Sequence, residues 1–365
     1  MAREFGQDGI NVNCIRPGAV TTEVDRAVNP TKDLRKKPIV STSPIGGQQR
    51  PGLCRPQTNG RLWPKGNRKM KIGVVGLGSM GYGIAASLLR AGHQVCGADV
   101  NPDAVKRLQA DGAVSDGIGA AAPGLDALAV VVLNAAQTEA VLFGPDGIAP
   151  KLPRGAVVIC CVTVAPDFAR AMAARCDTLG LHFLDAPISG GSVKAAIGKL
   201  AIMASGTAAA FNAARPMLDA TAEKVFELGD SAGMGSAMKA VNQMLAGTHI
   251  AAMAEAITFG MTQGIAPETF LKVIPDCAGT SWMLENRAPH IVAGNYAPHS
   301  AVDIWPKDLG IVLDVARAAK FAAPLTAAAL QQFIAASGMG LGREDDAAVA
   351  KVYARNAGLT LPGEG

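Results

Sequence analysis

The sequence predicts an α/β domain built on a doubly wound parallel sheet, followed by an all-α domain. Three observations carry this. Short apolar runs alternate with helical stretches from Met70 to about residue 232, a Gly-rich turn follows the first run, and an apolar helical stretch without a stop begins at Gly233. Strands separated by helical patterns indicate a sheet covered on both faces. The chain has 365 residues, enough for two ordinary cores of about 100–200 residues each.

The elements follow in order. Residues 30–69, including NPTKDLRKKP, are rich in Pro, Gly, Asn, Lys and Arg with little apolar periodicity. Such a composition does not repay ordering entropy, so the N-terminal segment is expected to be largely disordered. KIGVVG after Met70 reads as a strand, SLLRAG as helix and QVCGADV as a second strand. Further strands are expected at ALAVVVLN (127–134), AVVIC (156–160), HFLDAP (182–187), LAIMASG (200–206) and KVFEL (224–228). From Gly233 nearly thirty residues run without a breaker, which predicts a helix roughly 40 Å long. Ala-rich helical segments continue to about residue 353. The expected division is therefore 1–69, 70–232, 233–355 and a tail, 356–365.

Composition excludes several classes. Residues 1–69 hold 13 of the 34 Lys+Arg and 5 of the 30 Asp+Glu, so the main body is slightly acidic and no nucleic-acid partner is expected. No apolar run reaches the roughly 20 residues of a membrane helix, so no membrane partner is expected. Seven cysteines include no C-x-x-C pair, which argues against a disulfide framework or a metal site. Without a secretory signal at the N-terminus, a cytoplasmic location is expected.

The turn after the first strand, Gly76-Leu77-Gly78-Ser79-Met80-Gly81, fits a dinucleotide loop. Gly76 permits the tight turn, Gly78 lets backbone approach a pyrophosphate, and Gly81 allows close helix packing; the helix N-terminus adds N–H donors. The second strand ends at Asp99, 18 residues beyond Gly81. A carboxylate there accepts from ribose hydroxyls and repels a 2′-phosphate, so a Rossmann domain carrying NAD rather than NADP is expected.

Two further constellations point to the chemistry. DAPISGG (185–191) sets Ser189, Gly190 and Gly191 at a strand end, where their backbone N–H groups suit a carboxylate. The long helix opens with Lys239, and Asn242 and Gln243 follow at i+3 and i+4 on one face. A lysine and two amides facing a Ser-Gly turn suit proton transfer at a hydroxyl.

With the cofactor loop, DAPISGG, the helix start at Gly235–Lys239 and KDLG (307–310) in order, residues 70–355 resemble the β-hydroxyacid dehydrogenase family, which includes 3-hydroxyisobutyrate dehydrogenase and tartronate semialdehyde reductase. NAAQTEAVLFG, GTSWMLENRAPH, SAVDIWPKDLGIVLD and GREDDAAV are similar to its L-threonate dehydrogenase branch. The resemblance implies that Lys239 is the catalytic acid/base, that Ser189, Gly190, Gly191, Asn242 and Gln243 line a small hydroxy-acid substrate, and that Asn134, Thr163 and Lys307 lie beside the cofactor. It also implies a homodimer or homotetramer. The implied reaction is NAD-dependent oxidation of L-threonate to 2-oxo-tetronate. The alternatives are 3-hydroxyisobutyrate, or tartronate semialdehyde and D-glycerate, and, in a different class, a non-catalytic dinucleotide-binding protein.

Two positions depart from the family pattern: Cys161-Val162-Thr163 stands where Ser-Ser-Thr is usual, and Pro306 precedes Lys307. Plainer readings also exist. Thr163 suits a helix cap before Pro166, Lys307 a surface charge, Cys160 and Cys161 small apolar packing, and Glu344-Asp345-Asp346 a solvated acidic helix start. The Met-rich stretch 234–261 reads as core or subunit interface, and His249 within it as structural or interfacial.

Residues 1–51 resemble the late part of a short-chain dehydrogenase, on AREFGQDGINVNCIRPGAVTTEV and SPIGGQQRPG. That family's nucleotide loop and catalytic tyrosine are absent from the segment, so a remnant without function is expected.

Overall fold

The structure is a computed structural model that describes residues 68–364; the short-chain-dehydrogenase-like segment and nearly all of the expected linker lie outside the described residues. Five strands form one parallel sheet: β1 (Lys71–Val75), β2 (Gln94–Ala98), β3 (Ala127–Val130), β4 (Val157–Cys160) and β5 (His182–Asp185), in the order β2-β1-β3-β4-β5. The strands read as continuous apolar runs because both faces are covered. Ile72 and Val74 of β1 point to one core with Ile84 and Leu88, whereas Leu128 and Val130 of β3 point to another with Leu142 and Met172. These partners sit on α1 (Ser79–Arg90), α4 (Ala135–Phe143) and α5 (Pro166–Thr178); α2 (Pro102–Ala110) and the single turn α3 (Ile118–Ala121) complete the connections.

Cys160 belongs to the second core and its neighbour Cys161 to the first. The adjacent thiols face opposite sides of the sheet, as alternation along extended backbone requires. Both pack as small apolar groups, and burial pushes Cys160 up to about 12.

A three-stranded sheet follows: β6 (Ile188–Ser189) runs antiparallel to β7 (Leu200–Ala204), which is parallel to β8 (Ala222–Glu227). The helices α6 (Gly191–Ala196) and α7 (Ala208–Thr221) connect them, and an antiparallel bridge from Asp185 to Ser205 ties the two sheets. The helical layer holds α8 (Met234–Thr262), α9 (Pro267–Val273), α10 (Trp282–Val292), α11 (Ile304–Ala318), α12 (Pro324–Gly338) and α13 (Ala350–Asn356). Its core gathers Ile250, Ile257, Leu284, Trp305, Leu309 and Phe333 around α8, with Trp305 stacked on Phe333 at 5.5 Å. Among the described residues no helix is long and apolar enough to cross a membrane.

Two readings need correction. The strand expected over 127–134 stops at Val130. A Cβ at Gly76 would lie 2.4 Å from the Val131 carbonyl, so the chain passes close over the loop after β1 and leaves the sheet there, and Asn134 caps α4. The acidic run at 344–346 is not solvated. Asp345 and Asp346 are fully buried. Arg287 pairs with Asp346 at 2.5 Å, Trp305 Nε1 donates to Asp346 at 2.9 Å, and His290 Nδ1 lies 2.9 Å from Asp345. This network clamps α10 and α11 to the turn before α13; it is a structural tie, not a surface.

Candidate active site

Helices α1 and α4 leave the sheet from its carboxyl edge on either side of the β1/β3 switch point, where open α/β sheets bind ligands. The three loop glycines differ in what they exclude. Gly76 has φ 93 and no room for a Cβ, and a Cβ on Gly81 would meet the Gly76 carbonyl at 1.8 Å. Gly78 has nothing within 4 Å of an added Cβ. Its lack of a side chain serves no packing within the chain, which fits close approach of a pyrophosphate to the α1 N-terminus.

Asp99, just past the end of β2, takes Leu77 N–H at 2.6 Å and Asn101 N–H at 2.7 Å. Those bonds aim the carboxylate and leave it acceptor capacity for ribose hydroxyls. Beside it opens a cleft of about 430 Å³ lined by Leu77, Gly78, Ser79, Tyr82, Asn101 and Arg107, among others. Arg107 lies 3.6 Å over the Tyr82 ring. Thus the residues present fit NAD.

The other wall is the start of α8, and a carboxylate from β5 builds it. Asp185 is fully buried. It accepts from Gly233 N–H and Ser236 N–H at 2.9 Å each and from Ser236 Oγ at 2.7 Å. Ser205 Oγ takes Gly235 N–H at 2.9 Å. The N-terminal amides of a 29-residue helix are thus capped from another element, with negative charge at the positive end of the helix dipole. Gly235 is required because a Cβ there would lie 2.5 Å from the Met203 carbonyl.

One turn further along, Lys239 is buried, and its Nζ donates to the Ile188 carbonyl at 2.9 Å. The lysine is therefore held against the residue preceding Ser189, and the two constellations separated by 50 residues meet. Gly190 and Gly191 carry φ 134 and 73, so the chain turns sharply into α6 beside it. Burial pushes the Lys239 ammonium down to about 8; Asp308 opposes that shift and Lys307 adds to it.

Asn242 and Gln243 join a chain of polar contacts. Asn242 Nδ2 donates to Gln243 Oε1 at 2.9 Å, and Gln243 Nε2 donates to Asp308 Oδ2 at 2.5 Å. Lys307 pairs with Asp308 Oδ1 at 2.8 Å and donates to the Leu133 carbonyl at 2.7 Å. Lys307 thus spans from α11 to the loop after β3 and is more than a surface charge. Pro306 lies in the first turn of α11, where the missing N–H has no intrahelical role.

Asn134 Oδ1 accepts Gln137 N–H at 2.9 Å, which fixes the orientation of its side-chain amide. Thr163 stands in the loop at the carboxyl end of β4, and the cap of α5 is Ala165, without a side-chain bond; Thr163 is not the helix cap. Cys161 and Val162 are buried beneath that loop. Sequence reasoning did not single out Asp185, Asp308, Tyr82 or Arg107 individually. The first two stood inside DAPISGG and KDLG, whose shared acidic residues were the available signal. Among the described residues no group of His, Cys, Asp and Glu suits a metal.

Comparison with known proteins agrees with this geometry. The family model for the NAD-binding domain of 6-phosphogluconate dehydrogenase matches residues 71–229, and that for the NAD-binding region of NADP-dependent 3-hydroxyisobutyrate dehydrogenase matches 233–353. The L-threonate dehydrogenase of Cupriavidus necator is 49% identical over 298 residues, covering 80% of this chain and 98% of that protein. Its Escherichia coli K12 counterpart is 47% identical, covering 82% and 99%. A crystal structure described as 3-hydroxyisobutyrate dehydrogenase from Salmonella typhimurium is 47% identical, with a TM-score of 0.74 over 78% of this chain and 100% of that one. The chain belongs to the β-hydroxyacid dehydrogenase family, the NAD-dependent dehydrogenases related to 3-hydroxyisobutyrate dehydrogenase.

Proposed function

We propose that the protein oxidises L-threonate to 2-oxo-tetronate, with Lys239 as the group that takes the hydroxyl proton. The observation that carries the chemistry is the buried Lys239 amine held 2.9 Å from the Ile188 carbonyl, beside the Ser189–Gly191 turn. NAD, when bound, accepts the hydride from the carbon that bears the hydroxyl. The chain's own part is to remove the proton. With its ammonium depressed to about 8, Lys239 is substantially neutral in mildly alkaline solution and accepts the proton at Nζ. Asn242, fixed through Gln243 to Asp308, orients the hydroxyl. Ser189, Gly190 and Gly191 hold the carboxylate, and Thr163, Asn134 and Lys307 border the nicotinamide.

The choice of L-threonate rests on relatives of that name at 47–49% identity over nearly their whole length. The Salmonella structure's description favours 3-hydroxyisobutyrate as a second reading. A homo-oligomer in the cytoplasm completes the proposal. Five cysteines without disulfides among the described residues and the apolar length of α8 support it.

NADH formation from NAD with L-threonate, D-threonate, D-glycerate and 3-hydroxyisobutyrate tests the substrate. Strong preference for L-threonate is expected; preference for another acid rejects the substrate and keeps the chemistry. Lys239→Ala is expected to lower turnover about a hundred- to ten-thousandfold while NAD binding, read by fluorescence quenching, persists. Turnover retained by that variant rejects the mechanism.

A further inference from the structure

We propose that Ser87 and Arg90, on the helix that receives the cofactor, are positioning residues for the turn that holds the substrate carboxylate. The inference rests on the assignment of that carboxylate to Ser189–Gly191 and adds what keeps the turn in place. The turn has little stiffness of its own. Gly190 and Gly191 both carry positive φ, a conformation that glycine enters without steric cost and leaves as readily. The helix that it feeds, α6, has six residues, too few to be stable without tertiary contacts.

Helix α1 supplies those contacts. Gly83, Ser87 and Arg90 stand at i, i+4 and i+7, on one face of α1, while Ile84 and Leu88 point into the sheet core. At Gly83 the two helices meet by backbone: an added Cβ would lie 2.7 Å from Ala196 N and 2.9 Å from the Ala195 carbonyl carbon. One turn further on, Ser87 is buried, and its Oγ donates to the Ala195 carbonyl at 2.9 Å. With its one proton spent there, Ser87 Oγ accepts from Arg90 Nη2 at 2.7 Å. The same Arg90 nitrogen donates to the Ala196 carbonyl. Both carbonyls belong to the last turn of α6, where acceptors lack intrahelical donors.

Helix α1 therefore serves both ligands. Its N-terminus faces the pyrophosphate, and its later turns fix the far end of the segment that begins at the substrate turn. Cofactor and carboxylate are referred to one rigid element, so the carbon that gives up the hydride is held at a set distance from the nicotinamide. Such placement governs rate, since a shift of about 1 Å costs on the order of a hundredfold.

The test uses the full chain with Arg90→Ala, a change at an exposed residue, and with Ser87→Ala, which leaves the Ala195 carbonyl its bond from Gly198 N–H. In each, KM for L-threonate, or for whichever of the four acids the protein prefers, is expected to rise about five- to tenfold, the worth of one or two hydrogen bonds. Turnover falls with it, while the Kd for NAD by fluorescence quenching stays within about twofold of the unmodified value. Loss of fold stability alone would reduce the amount of active protein and leave KM where it was. Hydrogen–deuterium exchange gives a reading that needs no substrate: amides of residues 188–199 are expected to exchange faster in both variants, with those of 71–82 unchanged. An unmoved KM for the acid, an equal rise in the Kd for NAD, or exchange at 188–199 matching the unmodified protein overturns the proposal. A protein that oxidises none of the four acids rejects the assigned reaction instead, and exchange at 188–199 then decides the positioning by itself.

Discussion

The two walls of the site are positioned by different means. On the sheet side, backbone does the work: Gly76 and Gly81 let a turn and a helix close on each other where a Cβ would lie 2.4 and 1.8 Å from carbonyl oxygens, and Gly78 has nothing within 4 Å of an added Cβ. On the helical side, buried carboxylates do it. Asp185 caps α8 and sets Lys239, and Asp308 ties Gln243 to Lys307. Backbone positioning resists charge and pH but tolerates no added atom. Carboxylate positioning depends on charge, and at Gly235 it too leaves no room for an added Cβ.

That contrast is open to direct tests. The largest effect is expected for Asp185→Ala, which leaves the Gly233 and Ser236 donors without their partner in a buried setting. Stability in denaturant should fall by about 2–4 kcal/mol, and turnover should fall with it. A loss under about 1 kcal/mol would mean that α8 holds its start without the cap. Next come two glycines three residues apart. Gly81→Ala should lower stability by about 1–3 kcal/mol through overpacking. Gly78→Ala should leave the melting temperature unchanged and weaken NAD about tenfold or more, roughly 1.4 kcal/mol for each tenfold. Equal effects on folding would erase the distinction between packing and ligand glycines.

Asp308→Asn is subtler. Asp308 raises the Lys239 pKa against burial, so removing its charge should move the acidic limb of the oxidation profile to lower pH. A limb that stays in place or moves up would show that Asp308 acts only as a hydrogen-bond partner. Smallest of all, Pro306→Ala should change stability by no more than about 0.5 kcal/mol, because the first turn of α11 needs no N–H at that residue. A larger loss, read by thermal melting, would give this departure from the family pattern a structural role.

How much of this was legible in the sequence follows the same division. The Gly76–Gly81 loop, Asp99 and the long helix are local patterns, and the tight turn expected at Gly76 and the close packing expected at Gly81 match what an added Cβ would meet there. DAPISGG and Lys239 were legible as motifs, but their meeting at Ile188 was not, since it depends on a contact across 51 residues. Asp185 and Asp308 act through partners 51 and 65 residues away, and no local spacing distinguishes them from surface acids. The same gap explains the misreading of Asp345 and Asp346. An acidic pair at a helix start is usually solvated, and only folding brings Arg287, His290 and Trp305 to it. The early end of β3 was hidden for a related reason: its apolar run continues, but the switch point takes the chain out of the sheet.

The most direct test of the central claim is the pH dependence of kcat/KM for hydroxy-acid oxidation by the unmodified enzyme. A proton-accepting Lys239 with its pKa near 8 predicts a rate that climbs about tenfold per pH unit below that value and levels above it. A profile flat from about pH 6 to pH 9 would contradict the account, because no group with a depressed lysine pKa would then be taking the proton.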